Sequence, residues 1–138
     1  AMWIAFSDDL LGWKNLKLLA KGKHGWEKKI GGSTPPIKTK DGWLVIYHAV
    51  GDDKYYRIGA MLLDLKNPMK ILHRSPDWLM QPEKPYETKG LYNGVCFPCG
   101  NVVIDGKLFV YYGGADKYVG VATCELDELL DYLRTCSA

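Results

Sequence analysis

The sequence has no apolar run near the roughly 18 residues that a membrane-spanning helix needs. No secretory leader opens it, so the reducing cytoplasm is the expected compartment. Neither sign of charge dominates: 18 basic residues stand against 16 acidic ones, a formal net charge of +2. That balance removes the electrostatic footprint of a nucleic-acid binder. Cysteine is limited to four positions, 96, 99, 124 and 136. Cys96 and Cys99 have CxxC spacing, but a structural zinc site needs a second close pair, and Cys124 and Cys136 do not form one. A redox pair belongs at a strand-to-helix turn, whereas Val95 and Gly100-Asn101-Val102-Val103 read as strand and turn. The cysteines are therefore expected to be small, buried and apolar, with no metal bound. No low-complexity stretch is present.

What remains is a globular composition, 47% apolar and 25% charged, in 138 residues, which is one domain or less. Five Trp and nine Tyr suit an aromatic-lined cleft, and 15 Gly with seven Pro suit many turns. The dominant period is that of strands. Trp43-Leu44-Val45-Ile46-Tyr47-His48 follows Asp41-Gly42, and Leu108-Phe109-Val110-Tyr111-Tyr112 follows Asp105-Gly106 one residue on. Aligned, they read D-G-x-L-(V/F)-(I/V)-Y-(H/Y) at a spacing of 64. A second pattern, A-x-x-x-D-L, joins Ala5–Leu10 to Ala60–Leu65 at a spacing of 55, with a looser copy at Val121–Leu126. Strand repeats on this scale predict propeller blades of about four strands each.

A little over two such units fit the chain, whereas a closed ring takes about four to eight blades. The expected fold is all-β, a partial propeller over 1–138, from a truncated or split protein or one completed by association. The opening strand Trp3-Ile4-Ala5-Phe6 would lack a partner on one side. Near the end, Leu126, Leu129, Leu130 and Leu133 have helical spacing, with Asp127 and Glu128 at the helix start, predicting a short amphipathic C-terminal helix.

Several residues carry chemistry. Lys29 precedes Gly31-Gly32-Ser33-Thr34-Pro35-Pro36, read as a loop between units. Its glycines allow close anion approach, although a solvated Lys beside a Gly/Pro loop is the plainer alternative. His48 ends an apolar strand and can donate to a phosphate or a sugar hydroxyl, although a satisfied strand-end His is the plainer alternative. Tyr55-Tyr56-Arg57 begins the next strand and offers a phenol and a guanidinium, with Arg57 equally an ordinary cross-strand ion-pair residue. Asp116 follows an aromatic strand and two glycines, a placement suited to sugar hydroxyls or to a turn. Glu87 lies in a Pro-rich loop and is expected to be solvated. No carboxylate pair for acid and base work stands out.

Together these segments resemble glycoside hydrolase family 130, the β-mannoside phosphorylases and related β-mannosidases. The matching stretches include Trp26-Glu27-x-Lys29-Ile30-Gly31, Pro35-Pro36-Ile37-Lys38-Thr39 and Gly42-Trp43-Leu44-Val45-Ile46-Tyr47-His48. Further on come Tyr56-Arg57-Ile58-Gly59, Pro82-Glu83-x-x-Tyr86-Glu87, Val95-Cys96-Phe97-Pro98-Cys99-Gly100 and Tyr111-Tyr112-Gly113-Gly114-Ala115-Asp116. The resemblance implies about half of a five-bladed propeller, the C-terminal half. It implies β-mannoside cleavage by inorganic phosphate, inverting to α-mannose 1-phosphate, with phosphate as co-substrate and no cofactor. Lys29, His48 and Tyr56 resemble phosphate ligands, and Asp116 resembles a residue that holds the mannosyl unit. The family's general acid, an Asp, has no matching position, so no catalytic residue is assigned and the chain alone is expected to be inactive or nearly so. The expected partners are a β-mannoside oligosaccharide and phosphate, with a further half or a second copy completing the ring, and neither nucleic acid nor membrane. The competing expectation is a non-catalytic carbohydrate-binding or assembly module that pairs through open blade edges.

Overall fold

The computed structural model describes all residues, 1–138, as three antiparallel sheets and two helices. The first sheet pairs β1 (Met2–Phe6) with β2 (Lys14–Ala20). The second takes β3 (Lys29–Gly32), β4 (Ile37–Lys38), β5 (Trp43–Val50), β6 (Tyr56–Leu63) and β7 (Ile71–Arg74) in the order β3-β5-β6-β7, with β4 continuing the β3 edge of β5. After the short helix α1 (Pro85–Thr88), β8 (Cys96–Ile104), β9 (Lys107–Gly114) and β10 (Tyr118–Glu125) form the third sheet. The chain ends in α2 (Leu126–Thr135). This is a propeller-type, all-β arrangement with a C-terminal helix. No helix is long and apolar enough to cross a membrane.

The A-x-x-x-D-L pattern lands on β1, β6 and β10. In the second and third sheets that is the third strand, the same place in each blade. Asp105 (φ 49°) and Gly106 (φ 79°) form the two-residue turn between β8 and β9, the left-handed pair that a tight hairpin needs. The segment Gly31–Pro36 differs from expectation. Gly31 and Gly32 belong to β3, and the segment runs within one sheet, because both glycines pair with β5 opposite His48 and Tyr47.

Two cores separate the sheets. β5 is buried on both faces, so its side chains divide by parity. Val45, Tyr47 and Ala49 pack with Met2, Ala20 and Trp26 toward the first sheet. Leu44 and Ile46 pack with Leu108, Val110 and Tyr112 of the third sheet, and Leu129, Leu130 and Leu133 of α2 close this core.

Each core contains one buried carboxylate, a correction to the expectation that Glu87 is solvated. Glu87 is 2% exposed and Glu27 is 1% exposed. The Tyr112 hydroxyl donates to Glu87 Oε1 (2.7 Å), and the backbone N–H groups of Glu83 and Lys84 donate to Oε2 (2.8 Å each). Glu27 repeats the pattern: Tyr47 donates to Oε1 (2.6 Å), and the N–H groups of Lys23 and His24 donate to Oε2 (3.0 and 3.1 Å). Arg74 adds an ion pair to Glu27 at 2.8 Å. Each tyrosine ring lies against a glycine of the next strand. A Cβ on Gly59 would stand 2.5 Å from Tyr47 Cζ, and one on Gly120 would stand 2.6 Å from Tyr112 Cζ.

Glu27–Tyr47–Gly59 and Glu87–Tyr112–Gly120 are thus one unit used twice, each facing the preceding sheet. Tyr47 corresponds to Tyr112, not Tyr111, so the true strand spacing is 65 rather than 64. The one-residue difference lies inside the strands. Each begins directly after the glycine of its Asp-Gly turn, at Trp43 and at Lys107, but the buried tyrosine is the fifth residue of β5 and the sixth of β9. A slip of one residue exchanges the faces of a strand, which is why Tyr111 is exposed while Tyr112 is buried.

The cysteines also depart from expectation. Cys96 is buried and burial pushes its thiol up to about 12, but Cys99 and Cys124 are exposed. A bulge between Pro98 and Gly100 leaves Cys99 outside the ladder.

We predict that Gly59→Ala destabilises the chain by about 1–3 kcal/mol, because its methyl overlaps the Tyr47 ring. Gly100→Ala, with nothing within 4 Å of the added Cβ, is expected to change little. Urea midpoints measure both, and equal midpoints would contradict the packing described.

Candidate functional site

β3, β5 and β6 present three of the four residues singled out above. Lys29 pairs with Val50, and Val50 pairs with Tyr56, so Lys29 and Tyr56 flank Val50 on one face of the second sheet. One row along, Gly31 pairs with His48 and His48 with Ile58. This face carries Ile46 and Leu44 further along β5 and looks toward the third sheet. Lys29 and His48 are therefore diagonal neighbours, about 7–8 Å apart at Cα. Lys29 and Tyr56 wall a common cavity of about 290 Å³, which Tyr92 closes from the loop before β8.

Glycine decides how the imidazole lies. A Cβ on Gly31 would stand 2.5 Å from His48 Cε1, so the ring rests directly on β3. The Ser33 hydroxyl meets Nδ1 at 2.9 Å. When that hydroxyl donates, the neutral ring carries its proton on Nε2, which is then free to donate to a ligand oxygen. Phe97 packs on the ring at 4.5 Å between centroids, and Tyr56 lies at 6.0 Å. Tyr92 meets Tyr56 edge-on at 5.9 Å. Burial in this aromatic setting lowers the His48 pKa, favouring the neutral ring.

The supporting loops gather at one end of the sheets. Tyr56 N–H donates to Gly94 O (2.9 Å), and Tyr92 N–H donates to Ala115 O (3.1 Å). Asp116 stands at this same end, in a left-handed turn with Ala115 (φ 49° and 52°). It is exposed, and no hydrogen bond or ion pair joins it to Lys29, His48 or Tyr56. Three of the four residues are thus brought together, and the fourth sits on the adjoining rim.

Arg57 and Asp53, outside the expected set, set the shape of this end. Arg57 Nη2 lies 2.5 Å from Asp53 Oδ2 and its Nη1 lies 3.0 Å from Oδ1. The Arg57 side chain is nearly buried, its guanidinium 4.9 Å from the Trp78 ring centroid. The Arg57 hydrogen bonds hold the Asp53 carboxyl below its ordinary range, against the opposing effect of desolvation.

The profile described as beta-1,4-mannooligosaccharide phosphorylase, of glycoside hydrolase family 130, matches residues 1–135. The chain belongs to glycoside hydrolase family 130. A 1,2-beta-oligomannan phosphorylase of a Thermoanaerobacter species is 47% identical over 130 residues, 93% of this chain and 44% of that protein. A beta-1,4-mannooligosaccharide phosphorylase of Ruminococcus albus is 35% identical over 143 residues, covering 99% of this chain and 43% of its own length. The solved beta-1,2-mannobiose phosphorylase of Listeria innocua, in complex with beta-1,2-mannobiose, superposes with a TM-score of 0.92 at 34% identity, over 96% of this chain and 38% of that one. This family 130 chain therefore spans about two fifths of the length of these relatives.

Because burial favours neutral His48, its ring should titrate below 6.5, the ordinary value. The sign for stability follows: the unfolded chain takes up this proton first, so stability falls as pH drops from about 6.5 through the folded value. NMR titration of the His48 ring checks this, and a midpoint at or above 6.5 would contradict a desolvated site.

Proposed function

We propose that this chain carries the phosphate side of a β-mannoside phosphorylase site. Lys29, His48 and Tyr56 hold inorganic phosphate, and Asp116 holds the mannosyl unit. The observation that carries this reading is that Lys29 and Tyr56 wall one cavity with His48 diagonal to Lys29 on the same face. An ammonium, an imidazole N–H and a phenol are all donors, and phosphate is all acceptor. Relatives named as mannoside phosphorylases support the substrate class.

In the reaction, a phosphate oxygen attacks the anomeric carbon on the face opposite the departing sugar. The new C–O bond to phosphate forms as the glycosidic C–O bond breaks, and a general acid passes a proton to the leaving oxygen. Lys29, His48 and Tyr56 fix the nucleophile in line, converting an encounter into a positioned attack. They also offset charge on the phosphate oxygens. The acid has no counterpart among these residues and is supplied from outside this chain, by the further part of the ring. No cofactor enters this scheme, and the reaction belongs in the cytoplasm.

The purified chain, given phosphate and β-mannosides such as mannobiose and mannosyl-glucose, is expected to yield almost no α-mannose 1-phosphate. A missing general acid alone costs about 10²–10⁴-fold. Robust turnover would sink the assignment of the acid to another part of the ring.

A second reading, assembly through open edges, has its own observation. Leu11 and Trp13 at the β1–β2 hairpin and Val102, Ile104, Tyr111, Val119 and Val121 on the outer face of the third sheet are exposed. We infer that both end faces are covered in the working protein, by further blades or a second copy. Light scattering is expected to find the isolated chain associated, and a stable monomer at all concentrations would count against it.

A further inference from the structure

The cavity beside Lys29 and Tyr56 is also lined by Lys28 and Lys54, and no carboxylate lines it. These lysines are not equivalent. Lys28 forms an ion pair with Asp52. The next acid along, Asp53, is taken by Arg57. Both carboxylates of the β5–β6 turn are thus neutralised by other residues, and Lys29 and Lys54 are the cavity lysines without a carboxylate partner.

The turn also fixes where Lys54 stands. Lys54 adopts a left-handed backbone (φ 66°), uncommon for a side chain of this kind. Three contacts hold it there. Lys54 N–H donates to Gly51 O (3.2 Å), Tyr55 N–H donates to Asp53 Oδ1 (3.1 Å), and Asp53 is clamped by Arg57. Arg57 in turn lies between the Tyr55 and Trp78 rings, at 5.6 and 4.9 Å. Arg57, which does not line the cavity, thus holds a strained turn that puts a second lysine without a carboxylate partner on the cavity wall.

We propose that Lys54 is a further phosphate-binding residue, acting with Lys29 from the β5–β6 turn. This rests on the phosphate-side reading above. Two ammonium groups, one from β3 and one from the β5–β6 turn, match the two to three charge-bearing oxygens of phosphate better than one. The second also raises the local phosphate concentration at the mouth, an effect that salt screens.

The test is a calorimetric titration of inorganic phosphate into the full chain at low salt, for wild type, Lys54→Asn, Lys54→Arg, Lys29→Ala and Lys66→Ala. Asparagine tolerates the left-handed backbone, so Lys54→Asn removes the charge without straining the turn. We expect Lys54→Asn to weaken phosphate binding about threefold to tenfold. Lys54→Arg should restore most of the affinity, and Lys66→Ala, an exposed lysine outside the cavity, should leave it unchanged. Wild-type affinity in Lys54→Asn, alongside weakened binding in Lys29→Ala, would overturn this inference while leaving the phosphate-side reading intact. An equal loss in Lys66→Ala would assign the effect to net charge and also overturn it. No phosphate binding by the wild-type chain would overturn the reading and the inference together.

Discussion

A carboxylate buried between two sheets is tolerable only when its oxygens find enough donors to replace water. Glu27 and Glu87 each meet that condition with the same three: a tyrosine hydroxyl from the middle of the following sheet, and two backbone N–H groups from three and four residues earlier. Burial alone would raise both carboxyls, yet those donors, aided by Arg74 at Glu27 and Lys84 at Glu87, hold both below the ordinary range. The corresponding effect on Tyr47 and Tyr112, through burial and the adjacent carboxylate, is a phenol held firmly protonated. Loss of either tyrosine hydroxyl leaves the buried carboxylate short of a donor, at a cost of about 1–3 kcal/mol or more. Each pair therefore ties a connecting segment to the sheet it precedes.

The site depends on this constraint. Glu87 anchors the segment that leads through Tyr92 and Gly94 to β8, because Val95 N–H donates to the Glu87 carbonyl at 2.9 Å. Gly94 in turn accepts from Tyr56, and Tyr92 packs on the Tyr56 ring. On the other side, Glu27 closes the segment that delivers Lys29 two residues later. Lys29, His48 and Tyr56 thus stand at the junction of two sheets whose connections are pinned by the same device. All buried side-chain N and O atoms are hydrogen-bonded, so the junction has no loose polar group to relax through.

Much of the fold was legible in the sequence because strands and tight turns are local. Asp105-Gly106 set a two-residue hairpin, and the four leucines of α2 carried their helical period plainly. The A-x-x-x-D-L repeat marked corresponding strands of the second and third sheets, β6 and β10. The exact register was not legible, since two adjacent tyrosines, Tyr111 and Tyr112, fit the same pattern and nothing within the run says which of them faces inward. Glu87 was misjudged for a related reason: it sits in a polar, Pro-rich segment, and its partner Tyr112 is 25 residues away. The matched triplets Glu27–Tyr47–Gly59 and Glu87–Tyr112–Gly120 were the available signal. Lys29, His48 and Tyr56 entered through resemblance to a family, and only the pairing of β3, β5 and β6 explains why residues so spaced share one face. Arg57 looked like an ordinary ion-pair residue, because nothing local reveals that its turn holds Lys54 at the cavity.

The central claim is that phosphate binds where the second and third sheets meet, beside Lys29 and Tyr56. A crystal structure of the chain grown with inorganic phosphate tests it most directly. The account predicts a phosphate within hydrogen-bonding distance of Lys29 Nζ and Tyr56 Oη, with His48 turned toward it. A bound phosphate elsewhere, with this cavity holding only water at saturating concentration, would contradict the account.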